Sequence, residues 1–236
     1  MTTIELRRTP SMVIPRTADR PVATGAAALG QPAKVALVAA AASVPPITLL
    51  HLNATGAVEP ASWTISDYVV TLPYGVPLFA MTTGALAVGA IVLARGLSQL
   101  ANTRTVRVLL GLWAAALLLA AIFPTNLRGT PQDFSSNVHL IAGAVVFAAL
   151  PAVGVLVARR QRGLTGQSGA TISLTVISWS SAVLSAALIL NRLPGVIGLD
   201  ELMLPPGLLQ RAAGAAEILL LATIAVTILR TQHRAR

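Results

Sequence analysis

The chain contains no cysteine, which excludes disulfides, thiolate nucleophiles, cysteine-ligated zinc and iron–sulfur clusters and leaves the redox compartment undetermined. Charge is scarce too. Asp, Glu, Lys and Arg make up 11% of the 236 residues against 55% hydrophobic ones, and the mean hydropathy is +0.75. No ordinary soluble domain of this length has such a composition, so the sequence reads as an integral membrane protein. Aromatic residues are also few, at 4%, and do not interleave with the basic clusters. The net charge of +9 therefore argues for short loops facing anionic lipid and against a nucleic-acid partner. Three histidines with no HxxxH or HExxH spacing point to no metal site, and nothing calls for a cofactor.

What the chain has in quantity is long apolar runs. Six of them, near 34–54, 73–94, 106–124, 138–158, 170–191 and 207–230, each approach the ~20 residues that cross a ~30 Å hydrocarbon core. Backbone groups in lipid must be satisfied within the segment, so these runs predict helices and an all-α fold, a six-transmembrane-helix bundle. Residues 1–32 are polar, with Arg7, Arg8, Arg16 and Arg20, and are expected to form a disordered cytoplasmic tail ahead of a transmembrane domain over 33–230. Residues 231–236 are expected to form a short cytoplasmic C-terminal tail. Arg7-Arg8 is not read as an export signal, because the first apolar run begins about 25 residues later and is long enough to span.

Charge assigns the sides. Lys34, Arg95, Arg104, Arg107, Arg159, Arg160, Arg162, Arg230, Arg234 and Arg236 flank one side together with the tail arginines, while Arg128, Arg192 and Arg211 fall on the other. This bias predicts both termini in the cytoplasm. The acidic residues Glu59, Asp67, Asp133, Asp200 and Glu201 then gather toward the outer face, as do Trp63, Tyr68, Tyr74, Phe123 and Phe134, read as an interfacial aromatic belt. The outer loops are the elaborated ones, and loops of that kind more often carry function.

Glu217 is the costliest residue to place. It lies about nine residues into the sixth run, or ~14 Å along a helix, where a charge costs at least ~2.5 kcal/mol on insertion scales and should face the bundle. Gly207, Gln210, Gly214 and Glu217 share one helical stripe with Arg211 beside it. Arg211 and Glu217, six positions apart, sit about 120° apart around the helix, so a direct ion pair is not the default. His51 lies above Pro45-Pro46, which remove backbone donors and suggest a kink or cavity. His139 opens the fourth run and is a candidate for phosphate contact or proton transfer. Ser66 beside Asp67 reads as a helix cap rather than a nucleophile with its base. The Ser173, Thr175, Ser178, Ser181 and Ser185 series, with Gly84 and Gly89, reads as close helix packing.

Four motifs stand in order along the chain: Ile65-Ser66-Asp67 after the first span, Phe123-Pro124-Thr125-Asn126 closing the third, His139 opening the fourth and Gly207-Leu208-Leu209-Gln210-Arg211 opening the sixth. In this ordered set, over nearly all of 34–230, the chain resembles the uncharacterised bacterial membrane family DUF998. The resemblance implies six helices, an outward polar cluster and a bacterial plasma (inner) membrane location, and it implies no activity. Asn126 stands where that family usually has an acid, and Glu217 where it tends to have an aromatic residue.

The leading functional expectation is a pocket of Ser66, Asp67, His139 and Arg211, joined by His51 and Glu217, that binds a lipid or polyprenyl head group, since an arginine with a histidine suits phosphate. One alternative is a membrane-embedded hydrolase or transferase acting on lipid with Asp67 or His139 as general base. Another is a small proton-coupled transporter using Glu217. Membrane lipids are the expected partners, with a second copy of the chain or another membrane protein left open.

Overall fold

The computed structural model describes residues 29–54, 56, 58–98, 103–197 and 204–234. Of the tail expected over 1–32, residues 1–28 lie outside the described residues, as does the acidic pair Asp200 and Glu201. Among the described residues, seven helices follow in order: α1 (Gly30–Ala54), α2 (Ile65–Val69), α3 (Gly75–Leu97), α4 (Arg104–Ile122), α5 (Phe134–Thr165), α6 (Gly169–Ile197) and α7 (Pro206–Arg234). All but the short α2 are long and apolar enough to cross a membrane, so this is a multi-pass membrane protein. Helix α7 runs on to Arg234, into the stretch expected as a C-terminal tail.

Local chemistry explains several boundaries. Asp133 caps α5, its Oδ1 accepting from Ser136 N at 2.8 Å, and Gly166 ends the helix with φ +67°, a left-handed conformation that glycine adopts without steric penalty. Helix α1 runs unbroken through Pro45 and Pro46. Two imide nitrogens there donate no hydrogen bond.

The six long helices close into a ring. Each packs on the next in sequence, with α2 passed over, and α7 returns to pack on α1. Helix α5 also touches α7 directly, so α1, α3, α4, α5 and α7 form an inner ring and α6 lies against its outside, in the groove between α5 and α7.

Small side chains make this closeness attainable. Ala33, Ala36 and Ala40 of α1, Ala87 and Ala90 of α3, and Ala114 and Ala116 of α4 are all buried. A Cβ on Gly89 would press on Ala39, and one on Gly154 would meet Ser178 and Leu220. Gly84 differs from the expectation of close packing, since a Cβ there would meet nothing within 4 Å. The perimeter is instead large and apolar, with Val38, Met81, Val88, Ile141, Val176 and Val183 exposed. Large apolar groups outside and small ones between helices is the arrangement for a lipid solvent, where van der Waals packing rather than water exclusion holds helices together.

Antiparallel alternation sets two unlike ends. One carries Lys34, Arg95, Arg104, Arg107, Arg159, Arg160, Arg162 and Arg230 beside short connections. The other carries α2, the long 56–74 loop and the 123–133 loop, and it holds Glu59, Asp67 and Asp133.

A cavity beneath latched loops

At the long-loop end the backbone is tied down residue by residue. Glu59 accepts from Ser62 Oγ (2.6 Å), Ser62 N (2.7 Å) and Ala61 N (3.1 Å). These bonds, the Ser62 hydroxyl foremost, hold its carboxyl below the usual carboxylate range. Thr64 caps α2, its N donating to Asp67 Oδ2 at 2.9 Å. Ser66 is therefore not the cap expected from sequence. It is the second residue of the helix, its Oγ lies 3.1 Å from Thr64 Oγ1, and the extended residue preceding the helix is Thr64 (φ −74°, ψ 161°).

This loop lies on the first turn of α7. Gly207 N donates to Ala61 O at 2.9 Å, Gln210 Oε1 accepts from Ile65 N at 2.5 Å, and Arg211 Nη1 donates to Pro60 O (2.5 Å) and Trp63 O (3.0 Å). A Cβ on Gly207 would run into the carbonyls of Pro60, Ala61 and Trp63. The Gly207 to Arg211 motif is thus a latch for the loop that carries Ile65-Ser66-Asp67. A second latch joins the other two motifs. His139 Nδ1 lies 2.9 Å from both Ala120 O and Phe123 O. Carbonyls only accept, so Nδ1 carries the proton and donates. Ser135 Oγ donates to Pro124 O at 2.8 Å, and Asn126 Nδ2 donates to Pro131 O.

Below the latches, the five inner helices enclose a cavity of about 400 Å³ to which α6 contributes no residue. His51, Gln210 and Arg211 line its outer part under Ile65, and Phe79, Leu86, Leu117 and Phe147 give it an apolar middle. Trp113 and Glu217 line it deeper in the bundle. Trp113 Nε1 donates to Glu217 Oε2 at 3.0 Å. The other carboxyl oxygen, Oε1, is buried without a hydrogen-bond partner, as is Arg211 Nε. Gly143 and Gly214 also line the space, and a Cβ on either would meet nothing within 4 Å. These two glycines keep room open rather than bring helices together. The α1 wall begins with Ile47 and Thr48, directly above the two prolines.

Tyr68 ties the outer part together. Sequence placed it in an interfacial belt, yet it is fully buried. Its hydroxyl lies 3.0 Å from His51 Nε2, and His51 Nδ1 lies 2.6 Å from Ile47 O. In neutral His51 the Nδ1 proton goes to that carbonyl, so Tyr68 O–H donates to Nε2. The Arg211 guanidinium stands 5.2 Å from the Tyr68 ring centroid, a cation–π distance. Burial pushes the phenol up to about 12, with Arg211 opposing the shift.

A second space of about 410 Å³ lies across a shared wall of His139, Gly143, Phe147 and Gln210. Ser66, Asp67, Thr125, Asn126, Arg128 and Thr130 line its polar side, and Ile141, Leu188 and Ile189 its apolar side. Arg128 stands over Trp63, 5.2 Å from the ring centroid. The six candidate residues accordingly divide. His51, Arg211 and Glu217 share the central cavity, Ser66 and Asp67 face the second space, and His139 stands in the wall between. Trp113 lines the cavity and Tyr68 backs its His51, and sequence reasoning missed both pairings, because neither residue type signals its partner across 17 and 104 positions.

The chemistry follows from the division. Ser66 and Asp67 share a wall with His139, but Asp67 Oδ2 is engaged at the cap and His139 Nδ1 at the α4 carbonyls. Among the described residues, no three His, Asp or Glu side chains come together in a group that could hold a metal ion. The central cavity instead sets Arg211 and Glu217 among mostly apolar lining residues. No curated protein and no solved structure matches the chain. The sequence model of one family, described as Protein of unknown function (DUF998), matches residues 37–227, and the chain belongs to that family.

Proposed function

We propose that the protein binds an amphipathic, lipid-derived ligand in the central cavity. A phosphate or carboxylate head group, as on a lipid or polyprenyl phosphate, sits at Arg211, and the apolar part lies among Phe79, Leu86, Leu117 and Phe147. The long-loop end then faces outward and the basic end faces the cytoplasm, as the charge bias implies. Head group at the outer boundary and apolar part toward the bilayer centre is the orientation of an outer-leaflet lipid.

One observation carries the reading: Arg211 lines a mostly apolar cavity between the helices while its Nε is buried without a partner. A buried, unpaired guanidinium N–H is costly, and an anionic oxygen is the acceptor that guanidinium geometry suits best. The volume of about 400 Å³ lies near the lower end of the roughly 300–1,000 Å³ common for small-molecule sites. It therefore fits a head group and the first part of a chain.

Gly214→Leu tests this directly, because the new side chain grows into the cavity and raises helix propensity at the same position. Native mass spectrometry in gentle detergent, with decyl phosphate added, is expected to show a retained adduct on the wild type. The adduct is expected to vanish from Gly214→Leu while the melting temperature holds or rises. Equal retention by both proteins, or none by the wild type, removes the proposal.

A further inference from the structure

A hydrocarbon chain alone does not satisfy this cavity. Its deeper wall holds a carboxyl group with only one oxygen accounted for: Oε2 takes the Trp113 indole N–H at 3.0 Å, and Oε1 is buried with no partner. Glu217 as a whole is 3% exposed, so bulk water does not supply the missing donor. An alkyl chain packed there leaves Oε1 unsatisfied, which costs a buried polar group its hydration with no replacement.

We infer that the ligand of the central cavity carries, on its apolar part, a protonated amine that donates to Glu217. This rests on the central cavity being the binding site, and it adds a second polar end to the ligand proposed above. The amine is favoured over a neutral hydroxyl by two features of the same wall. The partner is a carboxyl group in an apolar enclosure, where a charge-assisted bond is stronger than a neutral one. Trp113 stands against the carboxyl, and Phe79 and Phe147 line the same cavity, and aromatic faces attract cations. Arg211 and Glu217 are six residues apart on α7, about 9 Å along the axis at 1.5 Å per residue. An elongated ligand with an anionic end and an ammonium end matches that separation.

The tests use small soluble probes and the full chain in detergent. Trp113 serves as the reporter in a Trp63→Phe, Trp179→Phe background, since the other two tryptophans lie on the first loop and on the outlying α6. Phenethylamine is expected to change Trp113 fluorescence saturably, and phenethyl alcohol, its neutral counterpart, to bind about tenfold or more weakly, in keeping with the loss of one charge-assisted hydrogen bond. Glu217→Gln, which keeps an acceptor for the indole, is expected to weaken phenethylamine by a similar factor. Equal binding of amine and alcohol, or unchanged amine binding in Glu217→Gln, overturns the inference. If melting shows that Glu217→Gln does not fold, the amine and alcohol contrast on the wild type decides alone. Decyl phosphate separates the two readings: retention of the phosphate without amine binding defeats only the ammonium subsite, and amine binding without phosphate retention defeats only the head-group assignment.

Discussion

The two spaces at the long-loop end are nearly equal in volume and share four wall residues, yet they differ in kind. The second space is bordered by polar loop residues whose hydrogen bonds are largely made within the protein: Asp67 with Thr64, Asn126 with Pro131, Thr130 with Leu127. The central cavity is mostly apolar, and two buried polar atoms on its lining residues have no partner. The difference teaches where to look for ligand chemistry. Polar residues crowded together at loops are here doing structural work, whereas isolated polar atoms in an apolar enclosure are the ones that lack something. The motifs through which the chain resembles its family fall mainly in the first class. Arg211 belongs to both, because Nη1 holds the loop while the residue also lines the cavity and its buried Nε lacks a partner.

Three substitutions probe that contrast. Gly207→Val is expected to have the largest effect, since its side chain must displace the carbonyls of Pro60, Ala61 and Trp63. Thermal melting is expected to lose about 1–3 kcal/mol, the usual range for overpacking, with faster proteolysis within 58–64. A wild-type melting curve and cleavage rate would show that the loop is not held by α7.

His139→Ala comes next. Two carbonyls at the end of α4 lose their donor, so stability is expected to drop by about 1–2 kcal/mol. Decyl phosphate retention should persist wherever the protein remains folded. Loss of retention at unchanged melting temperature would transfer His139 from the latch to the ligand.

Asp67→Ala is expected to cost least, roughly 0.5–1 kcal/mol for a partly exposed helix-cap partner, and to leave phenethylamine affinity unchanged. A marked loss of amine binding at intact stability would join the two spaces into one site.

Much of the fold was legible because membrane spanning is a matter of length and composition. The six apolar runs became six long helices, and the cost of a carboxyl at mid-span placed Glu217 facing inward. The stripe of Gln210, Gly214 and Glu217 was legible too, since helical periodicity alone puts the three on one face, and all three line the cavity. What sequence could not supply was pairing at a distance. Nothing in Trp113 announces Glu217, and nothing in Tyr68 announces His51, because these contacts depend on which helices become neighbours.

The position of α6 was equally hidden. Its buried Ser178, Ser181 and Ser185 suit close packing against any neighbour, so they do not tell that the helix stands outside the inner ring. The cap of α2 failed for a local reason. Ser66 and Thr64 are both good capping residues, and only the backbone conformation shows which one precedes the first helical turn.

Ring closure also has a consequence in time. Where helices enter the membrane in chain order, α7, the last of the six, is the one that completes the ring against α1 and brings in Glu217. By then α4 is in place with its Trp113 indole N–H. The most costly side chain of the chain thus arrives after its hydrogen-bond donor, and the cavity comes into being only with the final insertion.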